Sequence, residues 1–234
     1  MISLLHSEIF ILTLVIGVYI AACALYRKTR LILLNPLPTS ILSIIAILQI
    51  LGIEYEAFQT GSRIIHFMMG PSVVAIGYVL YEQMRYLKGN VLSILTSVFV
   101  GAVVGIVSVI AICKLMGADQ TLIYTLQPKS VTIPIAVGIA EKAGGIPSIT
   151  TVVVVVVGLF GSVAGPFVLK VLGIESRIAK GLAIGSASHA LGTTTAIQLG
   201  AVEGAISGLA IGLMGVITAI LVPVINLILS LFTH

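Results

Sequence analysis

The chain has 234 residues, 59% of them apolar and only 9% charged, with a mean hydropathy of +1.22 and a formal net charge of +4. A soluble domain carries roughly 25% charged residues, so this composition excludes a protein that covers its own surface in water. The Lys and Arg residues lie scattered between apolar runs, which marks them as topology determinants and argues against a nucleic-acid surface.

Eight apolar segments follow in chain order, at about 8–26, 31–51, 62–83, 91–115, 121–140, 148–170, 179–200 and 204–232. About 20 apolar residues in a helix span the hydrocarbon core, and Leu92–Cys113 and Ile149–Leu169 hold no charge at all. The expected fold class is all-α: a polytopic transmembrane helical protein of 6–8 membrane segments, one integral membrane domain over 1–234 with the lipid bilayer as its solvent. The first segment lacks a basic stretch before it and is followed by Arg27, Lys28 and Arg30, so it reads as a retained span rather than a signal peptide. Cys23 and Cys113 both sit in apolar segments and have no CxxC or metal-ligand spacing, which makes them buried thiols.

Positive charge marks the cytoplasmic side. Arg27, Lys28 and Arg30 are then inside, Glu54-Tyr55-Glu56 outside, Arg85 and Lys88 inside, and Asp119 outside. The next basic connection, Lys170, Arg177 and Lys180, is inside again, yet two apolar segments separate it from Asp119. An odd number of crossings requires one of the two not to cross. The uninterrupted Val152–Val157 run makes 148–170 the span. The segment 121–142, with Pro128, Lys129, Pro134 and the end Glu141-Lys142-Ala143-Gly144-Gly145, is then re-entrant or broken. Eight plain spans are the alternative.

A weak repeat recurs at a spacing of 56–59 residues and suggests units 62–117 and 121–173. Pro71-Ser72-Val73-Val74-Ala75-Ile76 resembles Pro128-Lys129-Ser130-Val131-Thr132-Ile133, and Lys114-Leu115-Met116-Gly117 resembles Lys170-Val171-Leu172-Gly173. Coincidence among Val, Ile and Gly is the rival explanation. Repeats with Pro/Gly-interrupted segments point to a transporter's binding site.

Polar residues gather in three places. In Gln127-Pro128-Lys129-Ser130-Val131-Thr132-Ile133-Pro134 the prolines remove backbone donors, and half-helix ends with Lys129, Ser130 and Thr132 suit an anion. A snorkelling lysine beside an ordinary kink is the competing account. In Gly185-Ser186-Ala187-Ser188-His189-Ala190-Leu191-Gly192-Thr193-Thr194-Thr195 the small residues fit either close helix packing or a Gly-flanked break lining a polar path, where His189 binds substrate or carries a proton. The third place, Asn35-Pro36-Leu37-Pro38, is a weaker interruption signal. Glu203 opens the last segment as a helix-start carboxylate, and His6, His66 and His234 have no visible chemical partner.

These strings resemble the LrgB/CidB family of bacterial membrane proteins. The resemblance is carried by Pro128-Lys129-Ser130-Val131-Thr132, Pro134-Ile135-Ala136, Gly144-Gly145-Ile146-Pro147-Ser148, Ala187-Ser188-His189-Ala190-Leu191-Gly192-Thr193 and Glu203-Gly204-Ala205. Asn35-Pro36-Leu37 and Gly70-Pro71 with Leu80-Tyr81 add to it, so the matches run along nearly the whole chain. The resemblance implies a multi-pass protein of the bacterial inner (plasma) membrane, acting with a small LrgA/CidA-type membrane partner. It also implies two descriptions of function. Bacterial members are named as antiholin-like modulators of murein hydrolase activity and cytolysis. A plastid relative is described as a glycolate/glycerate transporter, and bacterial systems are linked to pyruvate. Many members carry a basic residue two positions after the ASHALGT string, where this chain has Thr195.

The expected function is secondary transport of small monocarboxylates, such as pyruvate, glycolate or glycerate, through interrupted helices. Its candidate substrate-binding residues are Pro128, Lys129, Ser130, Thr132, Pro134, Ser186, Ser188, His189, Gly192, Thr193, Thr194 and Thr195. His189 and Glu141 are candidates for proton or ion coupling, with H+ and Na+ both open, and no metal or cofactor is expected. The alternative is an antiholin-like pore or assembly regulator of lysis. The expected partners are a small organic anion, the LrgA/CidA-type protein and further copies of the chain, with no nucleic acid. No nucleophile–base pair or metal cluster supports an enzyme.

Overall fold

A computed structural model describes residues 7–29, 34, 36–83 and 91–232. Asn35 and the basic residues Arg30, Arg85 and Lys88, together with His6 and His234, lie outside the described residues. Everything regular among the described residues is helical. Among the described residues four helices are long and apolar enough to cross a membrane, or five if one bent pair counts as a span. The chain divides into two compact units, 1–72 and 73–234.

In the first unit, α1 (Glu8–Thr29) packs on α2 (Pro36–Leu51) and on the short α3 (Tyr55–Gly61). Ile11 is fully buried against Gly61, where a β-carbon would collide with it. Between α2 and α3 the chain bends by 118°. Gly52 takes the left-handed conformation (φ +64°) and Ile53 N–H bonds back to Leu48 O at 2.9 Å, a glycine-closed helix end. The expected Glu54-Tyr55-Glu56 loop is thus a bend followed by a helical turn. The segment read as 62–83 is α4 (Arg63–Phe67) and α5 (Met69–Gln83).

The second unit is built on α6 (Val91–Leu115), α9 (Pro147–Val171) and α11 (Ala201–Phe232), each passing the length test for a span. On α6, Ile94, Val98, Ala102, Ile106 and Ile110 recur every four residues and form the buried stripe. The first three share a cluster with Ile206, Leu209 and Met214 of α11, while Ile106 to Cys113 cluster with Val222. Contacts that advance together along both helices make α6 and α11 parallel. Gly117 and Gly173, the matched positions of the Lys-x-x-Gly strings, are both left-handed (φ +71° and +66°) and close α6 and α9 in the same way. Ala118 N–H bonds Cys113 O and Ile174 N–H bonds Leu169 O.

Between these spans lie α7 (Gln120–Leu126), α8 (Ile133–Ala143) and α10 (Arg177–Leu199). Neither α7–α8 nor α10 runs as one straight helix; each folds back on itself. A straight helix would hold Thr125 and Gly145 about 30 Å apart, yet a β-carbon on Gly145 would lie 2.8 Å from Thr125 N. Thr125 Oγ1 accepts from Ile146 N–H at 2.9 Å, and Thr150 Oγ1 donates to Thr125 O at 2.9 Å, which pins the returning chain to α7. The segment 121–142 therefore folds back, and 148–170 is the span, as the charge parity requires.

The segment 179–200, left open by the sequence, also folds back. Lys180 and Leu199 line one cavity with Lys170 and Glu175, although nineteen residues of straight helix would separate them by about 28 Å. Ile184 and Ala196 share a cluster with Leu169. The turn falls at His189, whose φ of 41° and ψ of −139° break the helix into arms 177–188 and 190–199. Within the first arm, Gly181 and Gly185 bring the backbone onto α11, where β-carbons would lie 2.6 Å from Glu203 O and 2.8 Å from Ser207 Cα. Apolar burial supplies little drive inside a lipid phase, so such close backbone contact carries the packing. That is the small-residue packing open to Gly185 from its sequence.

Candidate functional site

The two hairpins enter from opposite ends of the second unit. The first opens at Asp119, whose carboxylate caps α7 by accepting from Leu122 N–H at 2.8 Å. The second opens at Ser176, which caps α10. Each precedes a span, so 120–171 and 177–232 repeat one hairpin-plus-span pattern in opposite senses.

Their tips meet. Pro128 ends the first arm, and the chain turns through Lys129 N–H to Leu126 O (3.2 Å) and Val131 N–H to Pro128 O (3.3 Å) before α8 begins. Thr132 is the N-cap of α8, but its side chain makes no capping bond. The second position of α8 is Pro134, which has no N–H to offer it. Val131 shares a core cluster with Leu182 of the opposite hairpin. Gln127, just before the tip, is buried and exchanges two amide hydrogen bonds with Asn226 of α11, at 2.7 and 3.1 Å.

At the second tip, His189 is 3% exposed and its Nε2 lies 2.9 Å from Val154 O of α9. Donation to that carbonyl fixes the Nε2–H tautomer. A non-glycine residue at such a backbone angle costs about 1–3 kcal/mol, and the ring's buried bond offsets part of this. Gly158 and Gly161 of α9 leave the space that the His189 ring and Ser188 fill.

Three cavities flank the meeting point. The first, about 600 Å³, runs from Ser176 and Ala179 along α6 and the first arm of α10 to Lys129, Ser130 and Ser186 at the tips. Lys129 Nζ lies 3.2 Å from Ser130 Oγ, and among the described residues no carboxylate pairs with it. The second, about 590 Å³, runs along the second arm of α10 and the first half of α11 to Thr132, Ala190 and Thr193. The third, about 540 Å³, runs along α8 and the second half of α11, from Lys142 and Asn226 to Pro134. Grooves from both ends thus stop at the same tips.

The family signature described as "LrgB-like family" matches residues 15–228. The chain belongs to the LrgB-like family. It is 36% identical over 217 residues to the uncharacterized protein YxaC of Bacillus subtilis, covering 93% of this chain and 94% of that one. It is 33% identical over 222 residues to the holin-like protein CidB of Staphylococcus epidermidis, covering 95% and 97%. CidB of Staphylococcus aureus matches to the same extent. No solved structure matches.

In this LrgB-like chain the sequence candidates separate into three groups. Lys129, Ser130 and Ser186 line the first cavity, Thr132 and Thr193 the second, and Pro134 the third. Pro128, Ser188, His189 and Gly192 are buried in the tips, where a β-carbon on Gly192 would lie 3.1 Å from Ile184 O. Thr194 is exposed and bonds its own helix at Leu191 O. Thr195 donates to Ser162 O of α9 at 3.3 Å. Glu141 is exposed on the last turn of α8 and lines none of the three cavities. Glu203 sits in the first turn of α11, as its helix-start reading expects, packed against Gly200.

The candidates chosen from sequence omitted Gln127, Ser207, Asn226, Ser93 and Ser97. Asn226 had a usable signal, because a lone amide in the apolar run 201–232 needs a partner at membrane depth. Ser93 and Ser97, together with Gly101 and Gly105, fall at intervals of four and give α6 the small face that borders the first cavity.

Proposed function

We propose that this protein is a secondary transporter of small monocarboxylates, moved as anions past the two hairpin tips. The observation that carries the reading is the meeting of two opposed fold-backs at a cavity holding Lys129, which has no carboxylate partner among the described residues. A half-buried cation with no paired carboxylate favours an anion beside it, and Ser130 and Ser186 add hydroxyl donors to the same cavity. Grooves reaching the tips from both ends suit alternating access around a fixed site. A pore assembled from simple spans has no use for either fold-back.

His189 serves as a positioning residue that holds the second tip on α9. Its Val154 bond supports that role over proton carriage, and exposed Glu141 gains no support as a coupling group from its place outside the cavities. The LrgA/CidA-type partner and a homo-oligomer belong to the same proposal, as does the inner membrane as its location; no chemical step is assigned to the chain. The names of the CidB relatives favour a second reading, control of lysis through assembly. Uptake of labelled pyruvate, lactate and glycolate into proteoliposomes, with and without the small partner, separates the two. Saturable uptake supports transport, and its absence under every ion gradient removes the carrier reading.

A further inference from the structure

We propose that the cavity at the open end of the second hairpin holds the headgroup of an anionic phospholipid, its phosphate between Lys170 and Lys180. The proposal is independent of the transport reading. The cavity has a volume of about 410 Å³, within the roughly 300–1,000 Å³ of ordinary ligand pockets. Three stretches of chain border it: the last turn of α9 with Lys170, the first turn of α10 with Lys180, and the end of α10 with Leu199.

Charge selects the class of ligand. Both lysines face this one space, and among the described residues neither forms an ion pair. Glu175 borders the cavity as well, without bonding either of them. Two cations against one carboxylate leave the wall with one positive charge in excess, which matches the single negative charge of a phosphodiester. The positive-inside rule sets this basic connection at the cytoplasmic surface, where anionic lipids attract cations that flank a span.

The shape favours a lipid over a free anion. Below Lys170 the cavity continues one helical turn to Pro166, about 6 Å along α9. Leu169 and Leu199 wall that depth, which offers nothing to a phosphate but suits the glycerol and first methylenes of a lipid. Val163, three residues before Pro166, starts an exposed apolar stripe with Phe160 and Phe167 along which acyl chains can lie. A headgroup seated there joins α9 to both arms of the second hairpin. It fastens the open end of the hairpin to the same span that holds the tip through His189 and Val154.

Titrating the full chain in neutral detergent with phosphatidylglycerol, and following thermal unfolding, tests the site. Saturating lipid should raise Tm by about 5 °C or more, while phosphatidylcholine and inorganic phosphate should leave it within about 1 °C. Lys170→Gln and Lys180→Gln should each raise the half-effective lipid concentration by about fivefold, and Glu175→Gln should lower it. Arg177 is exposed at the same end but lines no part of the cavity, so Arg177→Gln should change it by less than about twofold. An equal loss in Arg177→Gln would mean diffuse surface charge and overturns the proposal. The same rise with inorganic phosphate would make this a free-anion site, and the same rise with phosphatidylcholine would remove the role of charge; either overturns it. Lysine variants that melt like the wild type in lipid-free detergent and keep its full response to phosphatidylglycerol overturn it too.

Discussion

Replacing Gly158 by alanine should loosen the second hairpin through a single contact. The new methyl would lie 2.5 Å from His189 Cε1, 2.6 Å from Nε2 and 2.9 Å from Leu191 Cδ1. To reach ordinary contact the ring must withdraw by about 1 Å, which breaks its 2.9 Å bond to Val154 O. Losing that bond costs about 1–1.5 kcal/mol, and overpacking adds about 1–3 kcal/mol. A total of roughly 2–4 kcal/mol corresponds to a fall of roughly 5–15 °C in Tm at this chain length. Thermal unfolding of purified protein in detergent reads it. In a His189→Ala background the ring is gone and only the flexible end of Leu191 still meets the methyl, so the cycle should show a coupling above about 1.5 kcal/mol. Equal costs in both backgrounds would refute the assignment of the ring to that space.

Three further outcomes follow from the same geometry. Gly145→Ala should open the first hairpin, because its methyl meets the backbone of Thr125 rather than a side chain that can yield; a loss of about 2 kcal/mol or more is expected, and an unchanged melting curve contradicts the fold-back. Gln127→Ala and Asn226→Ala should each cost about 1–3 kcal/mol by stranding the other amide, with the double variant well below their sum. Lys129→Ala should raise the KM for monocarboxylate uptake by on the order of a hundredfold or more while insertion and folding persist, and wild-type affinity would show that Lys129 is structural.

The first hairpin was legible in the sequence because it carries two independent signs. Pro128 and Pro134 interrupt an apolar run, and the charges on either side demand one fewer crossing. The second hairpin carries neither. Its arms join through Ala187-Ser188-His189-Ala190, which contains no proline, and the turn depends on a histidine in a left-handed conformation that sequence propensity disfavours. That conformation is held by the ring's bond to Val154 and by the space at Gly158, a contact 31 residues distant in sequence. Lys129 and Ser130 were readable as a cation beside a hydroxyl. The separation of Lys129 from Thr132 onto two cavities was not, because it follows from how the tip turns between them. The bend between α2 and α3 was foreshadowed only by Gly52.

The opposed hairpins underlie the transport reading, and the sidedness of their ends tests them most directly. In a background with Cys23 and Cys113 replaced by alanine, single cysteines at Gln120, Lys142, Glu175 and Leu199 can be labelled with a membrane-impermeant thiol reagent in oriented vesicles. The account predicts that positions 120 and 142 label from one side and positions 175 and 199 from the other. Labelling of 120 and 142 from opposite sides, or of 175 and 199 from opposite sides, would turn that hairpin into a plain span and contradict the account.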